Sequence, residues 1–292
     1  ITGAGTGAYR LTKTGEGTFR FGTSVSGFGN ITTISNGTLD LNGLNYLSDD
    51  LNLGGGASVS GAQIVTGAGS LQLLTGLTFT TASPAPEGAT ITGTVDLGNL
   101  VQSFVVNDST GAVADVTVDG SIIGTAGAGV TKSGAGTLRF TGTGNTYPGL
   151  TTITAGLLEL DKSSGNGIGA GGLTNNNATV SLLAAEQFDN SAPVLLSGLN
   201  DTLLELNNFT ETLGPVTLEQ TDAFDYSAIR TGATGTLVLA ADMVLSNNTN
   251  SSFSDARNIL ITGTGTDAIA TTDGTLDLGG AVRTIQVTTT TV

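Results

Sequence analysis

The sequence predicts an all-β chain of the solenoid kind, and three observations carry that prediction. Short runs alternate polar and apolar residues, as in Thr18-Phe19-Arg20-Phe21 and Thr38-Leu39-Asp40-Leu41; they are bounded by glycine, and helical periodicity is nearly absent. Residues 11–41 align without a gap to residues 130–160, with 13 of 31 positions identical. Within each copy a Gly-x-apolar-x-apolar strand recurs 20 residues on, from Gly17 to Gly37 and from Gly136 to Gly156. A period near 20 with several short strands in it suits coils that stack their strands in parallel, each on the coil before.

Taken in chain order, 11–41 opens with Thr-Lys-x-Gly-x-Gly-Thr-Phe-Arg-Phe, continues through Thr32-Thr33-Ile34 and closes on Gly37-Thr38-Leu39-Asp40-Leu41. Alternation turns Leu39 and Leu41 inward and leaves Asp40 in water. The same strand pattern returns at Gly69-Ser70-Leu71-Gln72-Leu73. Residues 81–90 (TASPAPEGAT), with two of the five prolines, read as a surface loop between coils. The second full copy spans 130–160. Residues 184–230 hold more acid and aromatic character and are expected to form irregular coils, not a separate domain. Strands starting at Gly235 and Gly274 lie 39 residues apart, which at this period is close to two turns. A single β-helix domain over 1–292, part of a larger chain or assembly, is the expectation.

Composition excludes much chemistry. The chain has no histidine and no cysteine, which removes His-based acid–base catalysis, thiolate nucleophiles, disulfides, zinc ribbons and iron–sulfur clusters. Nine Lys and Arg against 24 Asp and Glu give a net charge of −15, which repels phosphate backbones and anionic membranes. Nucleic acid is therefore not an expected partner. No apolar run approaches the length of a membrane helix, so no membrane insertion by this segment is expected. The 45 glycines and 50 threonines suit coil corners and outward strand faces. The absence of thiols accords with export into an oxidising compartment.

Lys132-Ser133-Gly134-Ala135-Gly136-Thr137-Leu138-Arg139-Phe140-Thr141-Gly142, then Asn145-Thr146-Tyr147-Pro148-Gly149, Thr151-Thr152-Ile153 and Gly156 to Leu160, resemble the autotransporter-associated β-strand repeat. The match is close over 130–160. It is weaker over 11–41, where Phe28 stands for the Tyr and Ser24 to Gly27 for the Asn-Thr stretch, and only fragments return in 229–241 and 271–280. The resemblance implies a right-handed parallel β-helix, as in passenger regions of bacterial autotransporters, located outside the cell or at the bacterial surface. It also implies a stalk or scaffold role, with any activity in inserted loops. The closing Gln286 to Val292 lacks the aromatic girdles of an outer-membrane barrel.

Because β-helices also house polysaccharide lyases and hydrolases, the carboxylate pairs Asp49/Asp50, Asp115/Asp119 and Asp222/Asp225 are the catalytic candidates. Asp115 and Asp119, on one strand face, would stand about 13 Å apart, too far for glycoside hydrolysis. Asp49-Asp50 reads as a solvated turn. Arg20 and Arg139, like Lys13 and Lys132, hold equivalent positions read as outward, and repetition argues for pairing with acids across coils. Gly263-Thr264-Gly265-Thr266-Asp267 faintly echoes a calcium-binding turn but lacks the doubled glycine and the nine-residue period. Calcium is the one ion worth weighing, and no cofactor is expected. Asn-x-Ser/Thr sequons occur at Asn30, Asn36, Asn107, Asn177, Asn200, Asn208, Asn247 and Asn250, as chance allows in such a composition. Asn175-Asn176-Asn177 and Asn207-Asn208 read as ladders or turns. Gly165 to Gly172 lacks the Lys-Ser/Thr and the helix of a phosphate loop.

The expectation is thus an exported, non-enzymatic structural module: a β-helix stalk, adhesin scaffold or fibre-forming surface protein. Its expected partners are copies of itself stacked end to end, neighbouring segments of the same chain, surface glycans, or host or neighbour-cell proteins. The alternatives are a carbohydrate-active β-helix enzyme and a carbohydrate-binding module.

Overall fold

In the computed structural model the described residues are 10–23, 30–54, 61–81, 87–220, 227–247, 259–262 and 274–289. They hold strands and turns and no helix, and each strand pairing described is parallel, so the architecture is the β-solenoid that the repeat predicts. The chain divides into two compact units, Ile1–Gly149 and Leu150–Val292.

In the first unit the coils stack their strands into three parallel ladders. One runs through Leu11, Thr32, Leu51, Leu77, Phe104 and Lys132. A second runs through Phe19, Leu39, Ile64, Ile91, Val118 and Phe140. The third is shorter, from Tyr46 through Leu71 and Val95 to Ile122. Like residues stack because a parallel in-register pair places each side chain over its counterpart one coil on. Leu39, Ile64, Ile91 and Val118 have no exposed surface, and burial of each aliphatic side chain contributes about 1.5–3 kcal/mol.

The second unit repeats the plan. Thr151, Leu173, Val194, Val216 and Met243 form one inward row, and Leu158, Val180, Leu204 and Ile229 another; the backbones of Ile285 and Ile261 continue the two registers. The third ladder is a separate three-stranded sheet, Thr210–Leu213, Thr236–Leu239 and Thr275–Asp277. Earlier in the unit, Ile168 and Phe188 form an isolated parallel bridge.

Coil length departs from a constant 20 residues. Thr18 sits under Thr38, as the repeat predicts, but Val101 sits under Gly129. Thr236 pairs directly with Thr275, so the interval read as two turns is one long coil. Only the rungs must match in register. Corners absorb extra residues, since loop closure entropy grows slowly with length. Within 184–230, where irregular coils were expected, Val194–Ser197, Thr202–Glu205, Val216–Gln220 and Ser227–Arg230 instead pair in regular parallel register. In the 81–90 loop, residues 82–86 lie outside the described residues, and the strand Ala89–Asp96 already begins at its end.

Candidate functional site

The polar residues of the corners form the sites that the fold builds, and the repeat's lysine is the plainest case. Lys13 and Lys132 point inward, not outward: each keeps step with an apolar residue two positions earlier, Leu11 and Val130. Lys132 has no exposed surface, and its stem continues the row that ends on Phe104. Its ammonium donates to Gly134 O at 3.1 Å, as Lys13 donates to Gly15 O at 2.6 Å. Lys13 also reaches Asn36 O, at 3.1 Å, on the next coil. The Lys-x-Gly of the repeat is therefore a corner cap. The ammonium satisfies carbonyls that the turn takes out of the sheet. Gly37 completes the cap: at φ +68° it has no side chain to strike Lys13 Nζ, 2.7 Å from where a Cβ would stand.

Asp115 lies beside Lys132 and is also buried. Its two oxygens accept Ser109 N–H and Thr137 N–H, each at 2.7 Å, tying the turn before it to the coil after it. Burial pushes its carboxyl above the usual carboxylate range, against the pull of those two N–H groups. Burial likewise brings Lys132 down to about 8, with Asp115 opposing the change. Asp119, at the end of the strand Val116–Asp119 that follows, is exposed and accepts Thr141 Oγ1 at 3.0 Å. The pair thus does not converge: one acid braces a corner and the other meets solvent.

Asp49 and Asp50 sit on the strand Tyr46–Gly54, at a bulge where the register shifts between Ser48 and Asp50, and not in a turn. Thr75 Oγ1 donates to Asp50 Oδ1 at 2.7 Å and to Asp49 O. Asp222 and Asp225 lie outside the described residues, as does the calcium-like turn Gly263 to Asp267. Among the described residues no group of three or more acids is placed to hold a metal ion. Arg20 is outward, as expected, and pairs across coils with Asp40 at 3.2 Å while also reaching Asn42 Oδ1. Arg139 stands on the outward row over Thr117. Arg230 pairs with Glu205 at 3.2 Å, again between successive coils.

The asparagines work mostly as turn caps. Asn177 and Asn208 adopt positive φ, 66° and 72°, and their Oδ1 atoms accept backbone N–H groups of the next coil, from Asn200 and Thr234. Asn207, also at positive φ, donates to Leu182 O. Asn175 is no member of an asparagine ladder: it stacks between Ile153 and Leu196 and donates to Ala178 O and Leu203 O. Of the other sequon residues, Asn107 donates to Phe79 O, and the Asn36 carbonyl accepts Lys13. Asn200 is exposed, Asn30 and Asn247 lie in strands, and Asn250 is outside the described residues. Gly165 to Gly172 forms a corner, closed by the Gly172 N–H on Gly169 O, with no helix to receive a phosphate.

One stack escaped the sequence reading. Gln187 accepts Lys162 N–H at 2.8 Å and donates back to Lys162 O at 3.2 Å, so its amide does for that backbone what a neighbouring strand would. One coil on, Glu211 accepts Gln187 N–H at 2.7 Å and Phe188 N–H at 3.0 Å. Lys162, Gln187 and Glu211 are all buried. The signal was there: in Thr-Glu-Thr-Leu, Glu211 holds the same phase as Leu213, the apolar one.

Comparison with known proteins agrees with this construction. The family model of the passenger-associated transport repeat matches residues 11–41 and 130–160, the two segments that carry the lysine cap. The adhesin BmaC autotransporter of Brucella suis biovar 1 (strain 1330) is 30% identical over 270 residues, which is 85% of this chain and 8% of that protein. The chain thus spans a small part of the length of this relative. No solved structure gives a significant match. Residues 11–41 and 130–160 match the passenger-associated transport repeat, and over most of its length the chain is similar to a small part of an autotransporter adhesin.

Proposed function

We propose that this chain is a non-enzymatic scaffold within an exported, adhesin-like passenger: a β-solenoid that holds binding segments away from the cell surface. Autotransporter passengers are cell-surface or extracellular, and this chain shares that location. The observation that carries the scaffold reading is the use of the charged side chains. Lys132, Asp115, Arg20 with Asp40, and Arg230 with Glu205 bind a corner or a neighbouring coil. A glycosidase needs two carboxylates facing one bond, one of them protonated; of the described candidates, Asp115 is buried in backbone contacts and Asp49/Asp50 sit at an exposed bulge.

Its partners, on this reading, are further coils, whether of the same polypeptide or of a second copy stacked end to end, and surface glycans or proteins met by its corner loops. Cofactors play no part. The test is incubation of the chain with neutral and acidic polysaccharides, with and without calcium, while particles coated with it are scored for binding to cells. Binding without new reducing ends or unsaturated products is expected. Any such product would overturn the non-enzymatic reading, and sedimentation as a monomer at high concentration would overturn end-to-end stacking.

A further inference from the structure

Asn42 is gripped by the coil before it, and the glycine that follows is gripped by the coil after. Asn42 Oδ1 accepts Arg20 Nε at 3.0 Å and Arg20 Nη2 at 2.6 Å, and its Nδ2 donates to Phe21 O at 3.2 Å and Gly22 O at 3.3 Å. The Gly43 N–H turns the other way and donates to Thr66 O at 3.0 Å. Between these ties the turn Leu41 to Leu44 closes with Leu44 N–H on Leu41 O, and Asn42 and Gly43 both take positive φ, 55° and 78°.

An asparagine before glycine is chemically labile, because no side chain shields the glycine nitrogen from the carboxamide beside it. Here coil stacking draws the two reacting groups to opposite sides. The bond to Thr66 O also keeps the Gly43 nitrogen protonated, since losing the proton would set a nitrogen anion against a carbonyl oxygen. We infer that Asn42-Gly43 is a deamidation site gated by coil stacking: shut while both neighbouring coils are in place, reactive once they part, and a permanent mark of that opening.

In the reaction the Gly43 nitrogen bonds to Asn42 Cγ as the Cγ–Nδ2 bond breaks, and Nδ2 leaves as ammonia with the proton that the Gly43 nitrogen gives up. One water then opens the cyclic imide to aspartate or isoaspartate, with no change of oxidation state. Neither product restores the corner. The donor to Phe21 O and Gly22 O becomes a carboxylate facing both, near Asp40, whose Oδ1 already accepts Asn42 N–H at 2.7 Å. Isoaspartate also lengthens the main chain by a methylene just after Thr38 to Asp40, which pair in register with both neighbouring coils. The other Asn-Gly pairs, at 36–37 and 166–167, serve as references: Gly37 N–H donates to Gly61 O at 2.9 Å and Gly167 N–H to Gln187 O at 2.7 Å. Both of those glycines are buried, whereas Asn42 is exposed and its carboxamide already meets water.

The full chain held in mildly alkaline buffer, with and without concentrated urea, tests this, deamidation at each site being followed by peptide mass spectrometry. In urea the three Asn-Gly sites should react alike. In native buffer Asn42 should react about tenfold or more slowly, since coils stacked in register open rarely. Arg20→Ala, at a side chain that is 63% exposed, releases the carboxamide and should raise the native rate at Asn42 while Asn36 and Asn166 keep theirs; a rise at all three sites means that the coils have parted and supports the gate as well. After dilution from urea, chains modified at 42 alone should collect in the thermolysin-sensitive fraction. Equal rates at Asn42 in native buffer and in urea overturn the gate, whether or not the variant folds. An unchanged native rate in folded Arg20→Ala overturns the grip of the preceding coil, and modified chains that regain full thermolysin resistance overturn the mark.

Discussion

Lys132 shows how a charged residue becomes core in this fold: four methylenes extend an aliphatic row, and the ammonium ends on a carbonyl of its own turn. Its neighbour Asp115 holds two backbone N–H groups, so Asp115→Ala strands both donors at about 1–3 kcal/mol each; a lower urea midpoint with unchanged slope is the expected reading. Lys132 also predicts a pH effect. Between about 8 and 10.5 the folded chain binds fewer protons than the unfolded one, so stability rises with pH across that window. Lys132→Met, which keeps the stem and removes the titration, should flatten the rise in urea unfolding followed at pH 8 and pH 10.5. Glu211 has the opposite sign in a lower window, since its raised carboxyl loses stability as pH climbs from 4.5 to about 8.

Strands and corners divide the work at the next scale. The strands supply rows such as Leu39, Ile64, Ile91 and Val118. Leu39→Ala should cost about 2–5 kcal/mol, read in denaturant unfolding, because a gap in a stack has neighbours above and below that cannot close on it. The corners supply backbone conformations that only some residues adopt. Gly37→Ala, at φ +68° with Gly17 O 2.5 Å from the new Cβ, should lower stability by about 1–3 kcal/mol, whereas Ala at exposed Gly22 should leave it unchanged. Alternation made the strand phases legible: Leu39 inward and Asp40 outward follow from spacing alone. The same rule, applied to charged residues, would have placed Lys13, Lys132 and Glu211 inside. For the lysines the opposite expectation comes from residue type, since a lysine in a strand is ordinarily a solvated one.

Over a whole unit, stability is a sum over coils and their interfaces. Removing one full coil should therefore be tolerated where removing half is not. Deletion of residues 173–193 sets Val194 in the place of Leu173, its own register partner, and keeps the inward phase. Far-UV circular dichroism and thermolysin resistance of the second unit should survive. Deletion of residues 173–183 leaves a broken coil, and both should be lost. The spread of coil lengths, from Thr18 over Thr38 to Thr236 over Thr275, belongs to this same scale. It is why a repeat period read from two good copies does not extend along the chain.

Strand phase, parallel stacking, the two transport repeats and the absence of thiol and imidazole chemistry were determined by the sequence itself, because alternation and repetition are local and survive without knowledge of neighbours. Which residues bind one another across coils was decided only by the tertiary structure. Partners such as Asp115 with Thr137 and Glu211 with Gln187 are set by how many residues each corner stores. That number is nearly free in energy and so leaves little trace in the pattern.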